Sequence, residues 1–233
     1  MKNKSRFLLY PLVIMGVLLI LAISCKKDEN NDNPISTTVT DIDGNVYHTV
    51  TIGTQVWLVE NLKVTKYRNG DPIPNITDNT SWYNLTTGAY CNFANDTSYT
   101  NTYGVLYNWY AVNDNRKIAP TGWHVPTDAE WKTLATYLGG ENVAGGKLKE
   151  TGTTHWNIPN TEATNETGFT ALPGGCRYYH GSWGYVGDYG FWWSTTERDA
   201  SSIWRWSMYY HGGILRRDID TKDLGFSVRC VRD

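Results

Sequence analysis

The chain has 233 residues, with 21 basic against 23 acidic side chains, a formal charge of −2, 40% hydrophobic residues and 14% aromatic ones. Without a Lys/Arg block it lacks the charge that phosphate neutralisation demands, so no nucleic-acid partner is expected. So many rings argue against disorder, four cysteines are too few for a disulfide-built scaffold, and the length fits one domain.

The first element in chain order is a leader. Met1 to Arg6 is short and basic, Phe7 to Ser24 is almost wholly apolar, and Cys25 follows, then Lys-Lys-Asp-Glu-Asn-Asn. A basic segment, an apolar segment and small residues before a cut describe a secretory signal over 1–24. The run falls short of the ~20 apolar residues of a transmembrane helix and contains Pro11, so a simple anchor is the weaker reading. Ala22-Ile23-Ser24-Cys25 resembles a bacterial lipobox, in which the cysteine becomes the lipidated first residue. Removing the leader, with Lys2, Lys4 and Arg6, takes the net charge from −2 to −5. Each buried acyl methylene contributes about 0.8 kcal/mol, so two or three chains on Cys25 would hold the protein to the lipid bilayer. Residues 25–37 then read as the lipidated Cys and a polar tether. The acids after Cys25 resemble the surface-export signal of Bacteroidetes lipoproteins, which implies an outer-membrane lipoprotein facing the cell surface; a periplasm-facing orientation is the alternative.

From residue 38 the pattern is that of a folded α+β domain. Val46, His48, Val50 and Ile52 alternate with Tyr47, Thr49 and Thr51, which predicts a strand, and Asp43-Gly44 and Gly53-Thr54 predict turns to its neighbours. Val56 to Leu58 continue the meander. Residues 63–103 read as ordered loop, pinned by Trp82, Tyr83, Tyr90 and Phe93. Thr127-Asp-Ala-Glu130 is a capping box, and Trp131, Leu134, Ala135 and Leu138 share one helical face up to a Gly139 stop. A weaker helix over 141–150 contains Gly145-Gly146. Beyond residue 165, Gly-rich turns separate short aromatic stretches, and the alternation of Phe226, Val228 and Cys230 predicts a last strand.

Catalytic and metal patterns mostly fail. Asp41-Ile-Asp43-Gly-Asn45 looks like a calcium loop, but Val46 and Ile52 stand where an EF-hand needs Gly and Glu. The five histidines show no paired ligand spacing, and His124 reads as a hydrogen-bonded structural residue. No cofactor, metal or catalytic residue is expected. Cys91, Cys176 and Cys230 remain after Cys25, and one disulfide among them is plausible outside the cytoplasm.

Several strings resemble the Fibrobacter succinogenes major paralogous domain family: DIDGNVYHTVTIGTQVWLVENL (41–62), YGVLYNWYAV (103–112), PTGWHVPTDAEWKTL (120–134), GGKLKETGTTHWN (145–157), NETGFTALPGG (165–175), FWWSTT (191–196) and GFSVRCVRD (225–233). Together they make residues 38–233 one domain. That family is similar in turn to the formylglycine-generating sulfatase-modifying factors, which implies a C-type-lectin-like fold with paired terminal strands and long loops. It implies no activity. The thiol common before Pro-Thr-Gly-Trp is absent here, Ile118-Ala119 standing in its place, and Cys176 replaces an aromatic.

Residues 176–211 are dense in Tyr and Trp with Ser, Gly and His between them, a mixture that binding surfaces favour because rigid rings give contact area at little entropic cost. Phe191, Trp192, Trp193 and Tyr189 are assigned to the core. Tyr178, Tyr179, His180, Trp183, Trp204, Trp206, Tyr209, Tyr210 and His211 are the candidate ligand contacts, the partner being an extracellular protein or glycan. The segment also resembles the variable region of diversity-generating retroelement proteins. The competing readings are an envelope domain without a specific ligand and an enzyme related to the sulfatase-modifying factors.

Overall fold

The computed structural model describes residues 37–233. The leader, Cys25 and nearly all of the tether lie outside the described residues.

The chain begins with β1 (Thr38–Thr40), β2 (Val46–Ile52) and β3 (Gln55–Leu58), an antiparallel meander. The Asp41 carboxylate accepts from the amides of Asp43 and Asn45 and from the Tyr47 hydroxyl at 2.6 Å, so the calcium-like string is a turn that closes on itself. Strand β2 buries opposite faces at its two ends, Tyr47 in one core and Ile52 in another. The region expected as loop, 63–103, holds α1 (Asn79–Tyr83), β4 (Tyr90–Cys91) and α2 (Thr100–Tyr103), and β5 (Leu106–Tyr107) and α3 (Trp109–Val112) follow it. Trp82 and Phe93 pin it as expected, whereas Tyr83 is exposed. After β6 (Trp123–His124), α4 (Asp128–Tyr137) carries the predicted capping box, and Gly139 and Gly140 end it with positive φ.

Helix α5 (Glu141–Leu148) explains its own glycines. A Cβ on Gly145 would lie 2.5 Å from the Ile214 carbonyl oxygen, and one on Gly146 would lie 2.4 Å from that of Glu162. The helix accepts the propensity cost of two glycines because two backbones press against it.

The C-terminal half consists of β7 (Gly174–Arg177), β8 (Trp183–Val186), β9 (Tyr189–Glu197), β10 (Ser202–Tyr209), β11 (Arg216–Thr221) and β12 (Val231–Arg232). Two five-stranded sheets result, ordered β1-β2-β3-β12-β6 and β11-β10-β9-β7-β8, with a small β4-β5 pair. The predicted last strand is shorter than its alternation implied. Gly225, Phe226 and Ser227 each bridge a different neighbour, Arg177, Tyr107 and Trp192, so 225–230 is a seam between elements.

In β9 and β10, successive side chains alternate sides. Trp192 and Trp206, directly paired, pack with Trp131 and Trp57 beneath α4. Phe191 and Trp193 face the other way, into the core that holds Tyr107 and Phe226. The loops between are held by buried cations. Arg229 donates to the carbonyls of Leu58, Phe169 and Thr170 and to Asn61 Oδ1, and burial pulls its guanidinium down to about 9. Buried carbonyls outside regular structure need donors, and a guanidinium supplies five in one fork.

Candidate functional site

Six of the nine candidate residues, Tyr178, Tyr179, His180, Tyr209, Tyr210 and His211, come together, and residues the sequence reading had not chosen complete the group. Ring centroids run from Tyr83 to Tyr179 (6.2 Å), Tyr179 to His180 (4.9 Å), His180 to Tyr178 (5.3 Å), Tyr178 to Tyr185 (6.0 Å), Tyr185 to Tyr189 (5.1 Å), Tyr189 to Tyr209 (4.7 Å) and Tyr209 to His211 (5.5 Å). Tyr210 lies against His211 at 3.9 Å. The result is an unbroken aromatic ribbon from the β7–β8 hairpin across β9 to the end of β10. Tyr83, Tyr179 and Tyr185 are 56%, 47% and 45% exposed, which makes the ribbon a surface.

Two fully buried cations position its ends. Arg177 donates Nε–H to the Gly181 carbonyl and reaches the carbonyls of Ile76 and Thr77, with its guanidinium between the rings of Trp82 (4.4 Å) and Trp183 (4.6 Å). It fixes the hairpin that carries Tyr178 to Tyr185. Lys149 donates from Nζ to the carbonyls of Thr161 (2.9 Å), Tyr209 (3.1 Å) and Gly212 (2.9 Å). It fixes the turn that carries Tyr209 to His211. Burial pulls this ammonium down to about 8, and the Glu162 charge opposes the shift.

Tyr185 sits at φ +68°, the left-handed region that a bulky side chain rarely occupies. Its carbonyl accepts from the Asp188 amide at 3.0 Å, closing the turn into β9. Burial and the neighbouring Tyr185 side chain push the Tyr178 phenol above its ordinary value. At the far end of the ribbon a cavity of about 290 Å3 is lined by Tyr189, Ser207, Tyr209, His211, Ile214 and Arg216.

The other three candidates lie elsewhere. Trp206 is wholly buried, stacked on Trp131 at 6.1 Å and 20°, and is a core residue. Trp204 shares its side of β10 and lies under the Arg217 guanidinium at 3.1 Å. Arg217 in turn makes a two-pronged pair with Asp128 of α4 at 2.7 and 2.9 Å, so Trp204 belongs to the joint between sheet and helix. Trp183 is committed to Arg177. The alternation in Trp204-Arg-Trp206-Ser-Met-Tyr209 carried the distinction: Trp204, Trp206 and Met208 share one side, and Arg205, Ser207 and Tyr209 share the other. Among the assigned core residues, Phe191, Trp192 and Trp193 are buried, while Tyr189 is half-exposed and part of the ribbon.

The disulfide that the sequence left possible among the three thiols is not formed. Cys91, Cys176 and Cys230 are all free and buried. Burial raises Cys91 to about 11 and Cys176 to about 12, and pushes Cys230 higher still, which leaves inert thiols.

Two larger cavities spend their polar groups on the fold. One, of about 440 Å3, includes Arg68, His124 and Asp233. Arg68 donates to the carbonyls of Ala119, Pro120 and Trp123, and His124 is held between Asp233 and Glu130, each at 2.7 Å. The other, of about 430 Å3, includes Arg116, whose guanidinium is engaged by Asp114 and Asp71.

The class defined by this geometry is an α+β domain, mostly strand with few helices, that presents a tyrosine-rich ribbon on its second sheet. The chain belongs to the Fibrobacter succinogenes major domain family, whose model matches residues 50–232. No curated protein and no solved structure matches it.

Proposed function

We propose that the chain is the recognition module of a lipid-anchored envelope protein, without catalytic activity, that binds an extracellular partner through the aromatic ribbon. The single observation that carries this is the continuity of exposed rings from Tyr83 to His211. Rings of this kind combine a flat apolar face with a hydroxyl or imidazole that stays wet. Tyr178, Tyr189 and Tyr210 rest one side on the core and keep the other open, whereas rings that only fill space are hidden, as Trp192 and Trp206 are.

The fold we assign is C-type-lectin-like. Its support is the pairing of β12 with β3, which brings the two ends of the domain together, the α4–α5 pair, and the long loops that deliver the ribbon. The leader and Cys25 are the basis for placing the protein in the outer membrane with the ribbon presented at the cell surface. Replacement of Cys25 with Ala should abolish incorporation of labelled fatty acid, and protease treatment of intact cells should remove the domain.

Recognition is tested by replacing Tyr185, Tyr189 and Tyr209 together with Ala and measuring binding to a glycan panel and to surface proteins. The variant should keep its unfolding midpoint near that of the parent and lose binding. Retained binding refutes the ribbon as the recognition face. A diversified segment would be supported by a near-identical template repeat and a reverse transcriptase beside the gene, and refuted without them.

A further inference from the structure

We infer that the cavity at the far end of the ribbon accepts an anionic sugar ring, one bearing a carboxylate or a sulfate. This rests on the ribbon being the recognition face, and it names the ligand class that face selects.

The cavity supplies hydrogen-bond donors and a flat apolar wall, and no carboxylate lines it. The wall is the stacked pair Tyr189 and Tyr209, 4.7 Å between centroids and 23° between planes. Ile214, 51% exposed, extends the apolar rim. Ser207 Oγ accepts from Arg205 Nη1 at 2.7 Å, so its own hydrogen is left to donate elsewhere. The Arg216 side chain is 69% exposed, and its Nε has only a long contact to Asp218, at 3.4 Å. Among the described residues no hydrogen bond engages its two outer nitrogens, and a guanidinium fork matches a carboxylate or sulfate. Among the described residues, no hydrogen bond engages the His211 ring or the Tyr189 and Tyr209 hydroxyls.

None of the nearby acids lines the cavity: Glu162 Oε2 lies against the Gly213 backbone, 2.1 Å from where a Cβ there would stand, and the others hold partners of their own. Asp218 serves the Ile219 amide and Arg205, and Asp220 holds Arg205 Nε at 2.8 Å. Asp188 accepts from Asn157 Nδ2 at 2.8 Å. What lines the cavity is a set of donors around a flat wall with no carboxylate among them, and its complement is a ring with an apolar face and an acidic substituent. Small-molecule sites span ~300–1,000 Å3, so a space of about 290 Å3 fits a single ring, with the adjoining tyrosines left for its neighbours in a chain. An acidic peptide satisfies the charge but offers no rigid ring face to the tyrosine pair.

The test measures binding of the purified protein by calorimetry to a poly-Glu peptide and, with affinity electrophoresis as well, to three polysaccharides: polygalacturonate for carboxylates, a sulfated glycosaminoglycan for sulfates, and neutral mannan. One or both acidic polymers should bind, more weakly as salt rises, and mannan should not. Which acidic polymer binds tells carboxylate from sulfate. Arg216→Gln, at an exposed position that should not disturb folding, should weaken binding about tenfold or more, the loss expected from a charged hydrogen bond. Tyr209→Ala should abolish it. Preference for mannan, preference for a poly-Glu peptide, or silence on all three overturns the anionic sugar. Loss with Tyr209→Ala but not with Arg216→Gln overturns the anion and leaves the recognition face standing. Binding that survives both substitutions overturns both.

Discussion

Strands β9 and β10 carry two aromatic regions a few residues apart, with opposite fates. On the helix side, Trp192 and Trp206 are paired across the strands and sealed by Trp131. At the strand ends, Tyr189 and Tyr209 are paired in the same ladder but half-exposed, and they continue into Tyr185 and His211. The first region hides large apolar area with few polar atoms; the second keeps a hydroxyl on each ring and stays partly wet. Aromatic content is therefore not one property of this chain. Side-chain parity and position along the strand together assign each ring to scaffold or surface, since Phe191 and Trp193 share the Tyr189 side of β9 and are buried.

The sharpest way to break that division is to truncate one ring from each region. Trp206→Ala should cost about 3–5 kcal/mol, as large-to-small changes in a packed core do. Tyr209→Ala should cost about 1 kcal/mol or less, as for surface changes. Urea unfolding of both variants checks this, and equal losses would mean that the ribbon is core after all. Lys149→Met comes next. It leaves the carbonyls of Thr161, Tyr209 and Gly212 without their donor, at about 2–3 kcal/mol. Amide exchange should quicken first in residues 209–213, because Lys149 is a positioning residue for that turn. Uniform quickening across the domain would show instead that it is only a piece of core.

A smaller effect has the opposite sign. Tyr185→Gly relieves the left-handed backbone at φ +68°, which costs a bulky residue roughly 1–2 kcal/mol. It also removes the ring that joins Tyr178 to Tyr189. The variant should unfold at equal or higher urea concentration and bind its partner less well. If it is less stable, the strain is not there; if binding is unchanged, the ribbon need not be continuous.

Much of the scaffold was legible because it obeys local rules. The capping box from Thr127 to Glu130 predicts α4, and the period of two over residues 46–52 predicts β2. The second sheet was not. In β9, Phe191, Trp192 and Trp193 are buried in succession because cores lie on both faces, so no polar alternation marks the strand. Six of the nine candidates, chosen from composition alone, lie on the ribbon. Trp204 and Trp206 were misplaced because density ignores side-chain parity. Trp183 is committed through Arg177 to a sandwich closed by the distant Trp82, and Lys149 to the distant Tyr209, which no local pattern reveals.

The least conspicuous difference between the two regions should appear in acid and base. Around α4 the scaffold carries two titrating joints of opposite sign. Burial alone would raise Asp128, but Arg217 and Lys132 outweigh it and hold the carboxyl below its ordinary value. A depressed acid contributes stability above its unfolded value, near 3.8, and loses it as pH falls through the folded one. His124 is the reverse. Burial would lower it, but Asp233 and Glu130 win and raise it above 6.5. A raised histidine contributes fully below its unfolded value and loses that contribution as pH climbs through the folded one. Its side chain is 37% exposed, so solvent screens the effect. Asp128→Asn should therefore flatten the fall in stability below about pH 4, and His124→Gln the decline above about pH 6.5, each leaving the other limb intact. Tyr209→Ala should leave both slopes as they are, because neither of these two joints touches the ribbon. A change in either slope with Tyr209→Ala would mean that the open rings and the sealed ones respond as one unit, and the division by register would fail.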